Sequence, residues 1–200
     1  MRTRVIGLGN TILSDDGVGI YAAREVRRRL GESGRGDAAD VVETEVGGFA
    51  LMELMAGWDR VILMDATLFD GVEPGTVVRI DPQDLRTSLR IRSVHDIDLP
   101  TVLGLGGALG LEMPGEILIY GIQAEDAFTL GETMTPVVGR ALKGVVEEVL
   151  AALDPAWAAD SGGPDEPGKS MAPILTSALL AGPLEAVEAG VPVTSRYPRT

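Results

Sequence analysis

Apolar and polar positions change period several times along this chain, and each change marks an element. A short apolar run, Val5, Ile6 and Leu8, is interleaved with Gly7 and closed by Gly9. Helical periodicity follows from Gly19 to Leu30, so strand, glycine turn and helix open a βαβ unit. Val41 to Val46 predict a second strand, broken by Gly47 and Gly48. Phe49 to Met55 then place Leu51, Leu54 and Met55 at helical spacing. Val61 to Met64 form a continuous apolar run, the pattern of a strand covered on both faces, and it ends at Asp65. After the turn signals Asp70-Gly71 and Pro74-Gly75, Thr76 to Ile80 predict an edge strand, and Pro82 to Leu89 a short helix or loop.

Asp98 is placed to cap a helix over Thr101 to Leu111, with Pro100 tolerated in its first turn. Glycines at 104, 106, 107 and 110 suit that helix to close packing rather than to intrinsic stability. Glu116 to Ile122 predict a last buried strand. Thr135-Pro136 open a final helix whose apolar stripe runs from Val137 to Leu150. Strands alternating with helices give an α/β fold, a three-layer sandwich with a mainly parallel, twisted central sheet flanked by helices on both faces. The domain closes near Leu153. Residues 154–200 form a tail: Pro155 to Ser170 have linker composition, and Met171 to Val193 are Ala- and Leu-rich but interrupted by Pro and Gly. A linker with a short docking helix and a disordered tail both remain open for this stretch.

Composition narrows the class. An apolar fraction of 45% and a charged fraction of 24% are those of an ordinary globular protein. The net charge of −13 argues against nucleic acid or an anionic membrane as a partner and is compatible with attracting a cation. Cysteine is absent, which removes disulfides, thiolate metal sites and cysteine nucleophiles. No stretch resembles a signal peptide or reaches the roughly 18 apolar residues of a membrane span, so a cytoplasmic protein is expected. His95 is the single histidine, and any imidazole chemistry must use it.

The first turn carries the candidate chemistry. A dinucleotide fingerprint requires G-x-G-x-x-G, but its third glycine is Ile12 here, and Asp15 and Asp16 would repel a pyrophosphate. In a doubly wound sheet, ligands sit outside the carboxyl ends of the strands, where strand order reverses. With a 2-1-3 order, the loops bearing Asp16 and Asp65 adjoin, and the loop bearing His95 leads into a helix that packs over the same edge. Two carboxylates and an imidazole suit a borderline divalent metal such as nickel or zinc. Local readings compete: Asp15 and Asp16 as helix caps, Asp65 as a turn cap, His95 as an ordinary loop residue. Of the acid pair, Asp15 is the structural candidate and Asp16 the ligand candidate.

Five motifs in order carry a resemblance. They are Gly7-Leu8-Gly9-Asn10 with Asp15-Asp16-Gly17, Glu45-Val46-Gly47-Gly48 with Met52-Glu53-Leu54, Ile62-Leu63-Met64-Asp65-Ala66, Ser93-Val94-His95-Asp96 with Leu99 to Leu103, and Tyr120-Gly121-Ile122-Gln123-Ala124-Glu125 with Leu130 to Pro136. From about residue 4 to 153 the chain resembles the nickel–iron hydrogenase maturation endopeptidases. The resemblance implies a protease that removes a C-terminal extension from a hydrogenase large-subunit precursor once nickel has been inserted. It also implies Asp16, Asp65 and His95 as metal ligands and catalytic residues. The nickel comes with the substrate, leaving the isolated site empty or holding another divalent ion. The expected protein is a monomer whose partner is that precursor. An alternative is a non-catalytic, nickel-sensing assembly partner of the same precursor. Many members have Glu where this chain has Asp16, and an acid often precedes the Gly-Gly pair where this chain has Val46, with Glu45 as the nearby substitute.

Overall fold

The computed structural model describes residues 1–45, 47–80, 82, 99–157 and 174–175. Strand β1 (Thr3–Leu8) feeds a 3-10 turn (Ser14–Gly17) and helix α1 (Val18–Glu32). Strand β2 (Asp40–Thr44), helix α2 (Gly48–Met55), strand β3 (Arg60–Thr67) and strand β4 (Val77–Ile80) follow. Helix α3 (Leu99–Ala108), strand β5 (Glu116–Gln123), helix α4 (Pro136–Leu153) and a two-residue strand β6 (Ile174–Leu175) complete the described order. The strands lie in the order β2-β1-β3-β5-β4-β6. Parallel pairs join β1 to β2 and β3, and β3 to β5, whereas β4 runs antiparallel to β5.

Alternation along the strands splits the core into two layers. Val5, Ile62, Met64 and Ile122 pack with Val18 and Val26 of α1 and Val145 and Val149 of α4. Ile6, Leu8, Val61 and Leu63 pack on the other face with Leu51 and Met55 of α2 and Leu99 and Val102 of α3. The three-layer α/β sandwich read from the pattern is the architecture observed, and the order reverses between β1 and β3 as the site argument required.

Three differences have physical causes. Asp65 does not end its strand: β3 continues through Ala66 and Thr67, because the ladder with β5 extends to the pair Thr67–Gln123. Strand β4 is not the edge strand expected, since Ile174–Leu175 pairs parallel to Arg79–Ile80 beyond it. Helix α3 starts at Leu99, two residues before the expected position, and Asp98, its expected cap, lies outside the described residues. The core reaches past Leu153 to Trp157, which is buried against the α1–α4 layer with Arg29 and Arg35 stacked over its ring. Among the described residues no helix is long and apolar enough to cross a membrane.

Candidate functional site

The parallel strands deliver their following loops to one edge, and the β1 loop is shaped by its first residues. Gly9 has φ +151°, and a Cβ there would collide with the Asp16 carbonyl oxygen. Its N–H donates to the Thr44 carbonyl at 3.2 Å, tying the loop to the end of β2. The loop then folds on itself: the Asn10 N–H donates to Asp16 Oδ2 at 3.0 Å, and the Ile12 N–H donates to Asn10 Oδ1 at 3.1 Å. Asp16 is fully buried in the 3-10 turn that enters α1, where a carboxylate also benefits from the positive end of the helix.

Helix α1 reaches that position because Gly19 carries no side chain. A Cβ on Gly19 would meet the carbonyl oxygens of both Leu8 and Met64, so only glycine lets the helix settle over β1 and β3. The 3-10 turn packs on β3, the strand that carries Asp65. Asp65 is 2% exposed and pairs with Gly121 of β5. Alternation puts it on the Leu63 face, toward the layer of α2 and α3, beside a partner that has no side chain. Asp16 and Asp65 are thus brought to the same carboxyl edge from the two strands that flank the reversal of order. His95 and Val46 lie outside the described residues. Glu45, in the bend after β2, is exposed. Among the described residues no group of three His, Cys, Asp or Glu side chains is arranged to hold a metal.

Asp15 has a different task from its neighbour. Its Oδ2 accepts from the N–H groups of Glu125 and Asp126 at 3.0 and 2.9 Å and from the Thr135 hydroxyl at 3.0 Å. Its Oδ1 accepts from the Thr135 N–H at 2.7 Å. The structural role assigned to Asp15 is what the bonds show, but it does not cap its own helix. It straps the loop between β5 and α4 to the loop after β1. Backbone bonds reinforce the strap: Ser14 N–H to Gly131 O at 2.7 Å, Gly131 N–H to Ile12 O at 3.0 Å, and Asp15 N–H to Asp126 O at 2.9 Å. Because β3 lies between β1 and β5, these joined loops belong to the strands on either side of Asp65.

Gln123 secures the remaining side. Its buried amide accepts from the Phe69 N–H at 2.9 Å and donates to the Phe69 carbonyl at 3.1 Å, fixing the chain as it leaves β3. In the sequence Thr135 stands out only as a helix start and motif member, and Gln123 only as a motif member. Their partners lie tens of residues away, and no local pattern signals such a pairing. Asp126 turns its own loop: the Thr129 hydroxyl and the N–H groups of Thr129 and Phe128 hold its carboxyl below the ordinary range.

Chemically, the edge offers two buried carboxylates on braced backbone. Such oxygens accept protons, orient a water, or serve as hard donors to a divalent cation. The family model described as HycI, hydrogenase maturation protease, matches residues 20–152. The hydrogenase 2 maturation protease of Escherichia coli strain K12 is 30% identical over 158 residues, covering 76% of this chain and 91% of that protein. Two solved structures share the fold. One is the hydrogenase maturating endopeptidase HybD of E. coli, with TM-score 0.62 and 25% identity, covering 81% of this chain and 94% of that one. The other is the [NiFe] hydrogenase maturation protease HybD of Thermococcus kodakarensis, with TM-score 0.58 and 27% identity, covering 77% of this chain and all of that one. With the fold, the motif order and the matched span in agreement, this chain belongs to the hydrogenase maturation protease family.

Proposed function

We propose that this protein removes the C-terminal extension of a nickel–iron hydrogenase large-subunit precursor after nickel insertion, using the precursor's nickel as the mark that cleavage is due. The observation that supports this most is the placement of Asp16, in the turn that follows β1, and Asp65, on the neighbouring strand β3, two buried carboxylates at the switch point of the sheet. Their chemistry fits the role. Carboxylate oxygens are competent donors for a borderline divalent ion, and a nickel delivered by the substrate retains its own ligands, so few are required from this chain. Asp16 and Asp65 supply oxygens, His95 supplies a nitrogen, and the three together position the precursor's metal beside the peptide to be cut.

A divalent cation so held polarises a carbonyl or acidifies a bound water. Hydrolysis then adds water across the peptide: hydroxide joins the carbonyl carbon, the C–N bond breaks, and a proton goes to the leaving amine. A carboxylate on braced backbone, held by Asn10 in the case of Asp16, suits the proton-accepting part of this step. The remote loops contribute by keeping the donors fixed.

The test is a cleavage assay with the chain and a nickel-loaded precursor from its own source, beside nickel-free precursor. The expected result is a shortened product in the loaded sample only, with His95→Ala and Asp65→Asn each lowering the rate by roughly a hundredfold or more. Cleavage of both samples would remove the metal check. Binding of the loaded precursor without cleavage would replace the protease reading with that of a non-catalytic assembly partner.

A further inference from the structure

Among the described residues, and apart from Met1, the exposed large apolar side chains fall in two places. Leu109 and Leu111 end α3, while Ile12, Phe49, Phe128 and Leu130 all sit at the carboxyl edge of the sheet. Ile12 is 52% and Leu130 77% exposed, and neither rides on a loose loop. Ile12 lends its carbonyl to the Gly131 N–H, and Leu130 is the residue before Gly131, so both project from the backbone that Asp15 and the Ser14–Gly131 bond hold together. Apolar side chains grouped on fixed backbone and rimmed by polar residues mark surfaces that another molecule covers, whereas single ones do not.

Charge at the same edge is one-sided. The segments 9–17, 68–76 and 124–135, which leave the ends of β1, β3 and β5, contain acids and neither Lys nor Arg. Glu125 and Glu132 are exposed on the same loop as Leu130. Any chain brought to Asp65 approaches the end of β3, and the joined loops of β1 and β5 border that approach on both sides.

We infer that Ile12 and Leu130, with Glu125 and Glu132 beside them, form a docking ledge for the precursor, and that the precursor presents to it an apolar patch flanked by Lys or Arg. This rests on the processing reading above. The apolar pair supplies buried area and the acids speed and orient the encounter, a division of labour expected where charges ring an apolar contact.

The experiment uses the full chain and the nickel-loaded precursor, with steady-state cleavage measured at low salt and at about 0.5 M salt. An Ile12→Ser/Leu130→Ser variant is expected to raise KM roughly tenfold with kcat within twofold of wild type. A Glu125→Lys/Glu132→Lys variant is expected to raise KM at low salt and to lose most of the salt dependence that wild type shows. These side chains are exposed, so both variants should melt with the wild type, which separates docking from folding. Unchanged KM in both variants, with wild type cutting normally, overturns the ledge and leaves the processing reading intact. A KM rise in the apolar variant alone overturns the charged half. Wild type that neither binds nor cuts the precursor overturns the processing reading and the ledge with it.

Discussion

Asp15 and Asp16 are adjacent acids of the same type, both fully buried, yet their carboxylates face different partners. Asp16 is turned inward toward Asn10 and the end of β1, while Asp15 accepts four hydrogen bonds from the far loop. The structural part expected of Asp15 was looked for in a helix cap, because a local pattern shows only local partners. A buried carboxylate with four donors aimed at it is hard to replace, since deleting it leaves those donors unsatisfied in the interior. Asp15→Ala is therefore expected to cost about 3 kcal/mol or more, read from urea unfolding. Asp15→Asn should recover only part of this, because an amide presents a donor where N–H groups already point. Gly19 shows the same economy of space: along the sequence it is only the start of a helical stretch, and the reason it is glycine, two carbonyl oxygens where its Cβ would stand, needs β1 and β3 in place.

The elements were legible wherever their pattern was sustained. The strands of the parallel core and the long helices α1 and α4 follow directly from apolar runs and stripes, and Thr135-Pro136 mark the start of α4. The end of β3 was misplaced because a carboxylate in an apolar run reads as a stop, whereas strand pairing to β5 carries the backbone past it. Strand β6 was not legible, as two residues in a Pro- and Gly-broken stretch have no period to detect. One fastening between elements predicts a pH response. Glu43 of β2 is bonded by Arg24 and Arg27 of α1 at 2.9 and 2.8 Å. Its partial burial pushes the carboxyl up, but the hydrogen bonds from Arg27 and Arg24 outweigh that and hold it below the ordinary glutamate value. A depressed carboxyl contributes stability above its unfolded pKa and loses it as pH falls through the folded one. Stability should therefore fall on acidification below the ordinary glutamate range, and Glu43→Gln should flatten that slope in urea titrations taken across it.

At the scale of the molecule, the family match ends at residue 152, but the packing does not. Trp157 is 6% exposed, closing the α1–α4 layer under Arg29 and Arg35. Trp157→Ala is expected to cost about 3 kcal/mol, seen as a lowered melting temperature by calorimetry. The strap described at the site has a further consequence, which concerns time. Asp15 is made before its partners Glu125, Asp126 and Thr135, which lie 110 to 120 residues later in the chain. Closing so long a loop is slow compared with forming local contacts, and it cannot begin until the distant residues exist. A nascent chain carrying Asp16 and Asp65 already has its acids but not the brace that fixes them. The edge is completed late, once the segment around Thr135 has left the ribosome, so a partly made chain carries both acids on backbone that is not yet fastened.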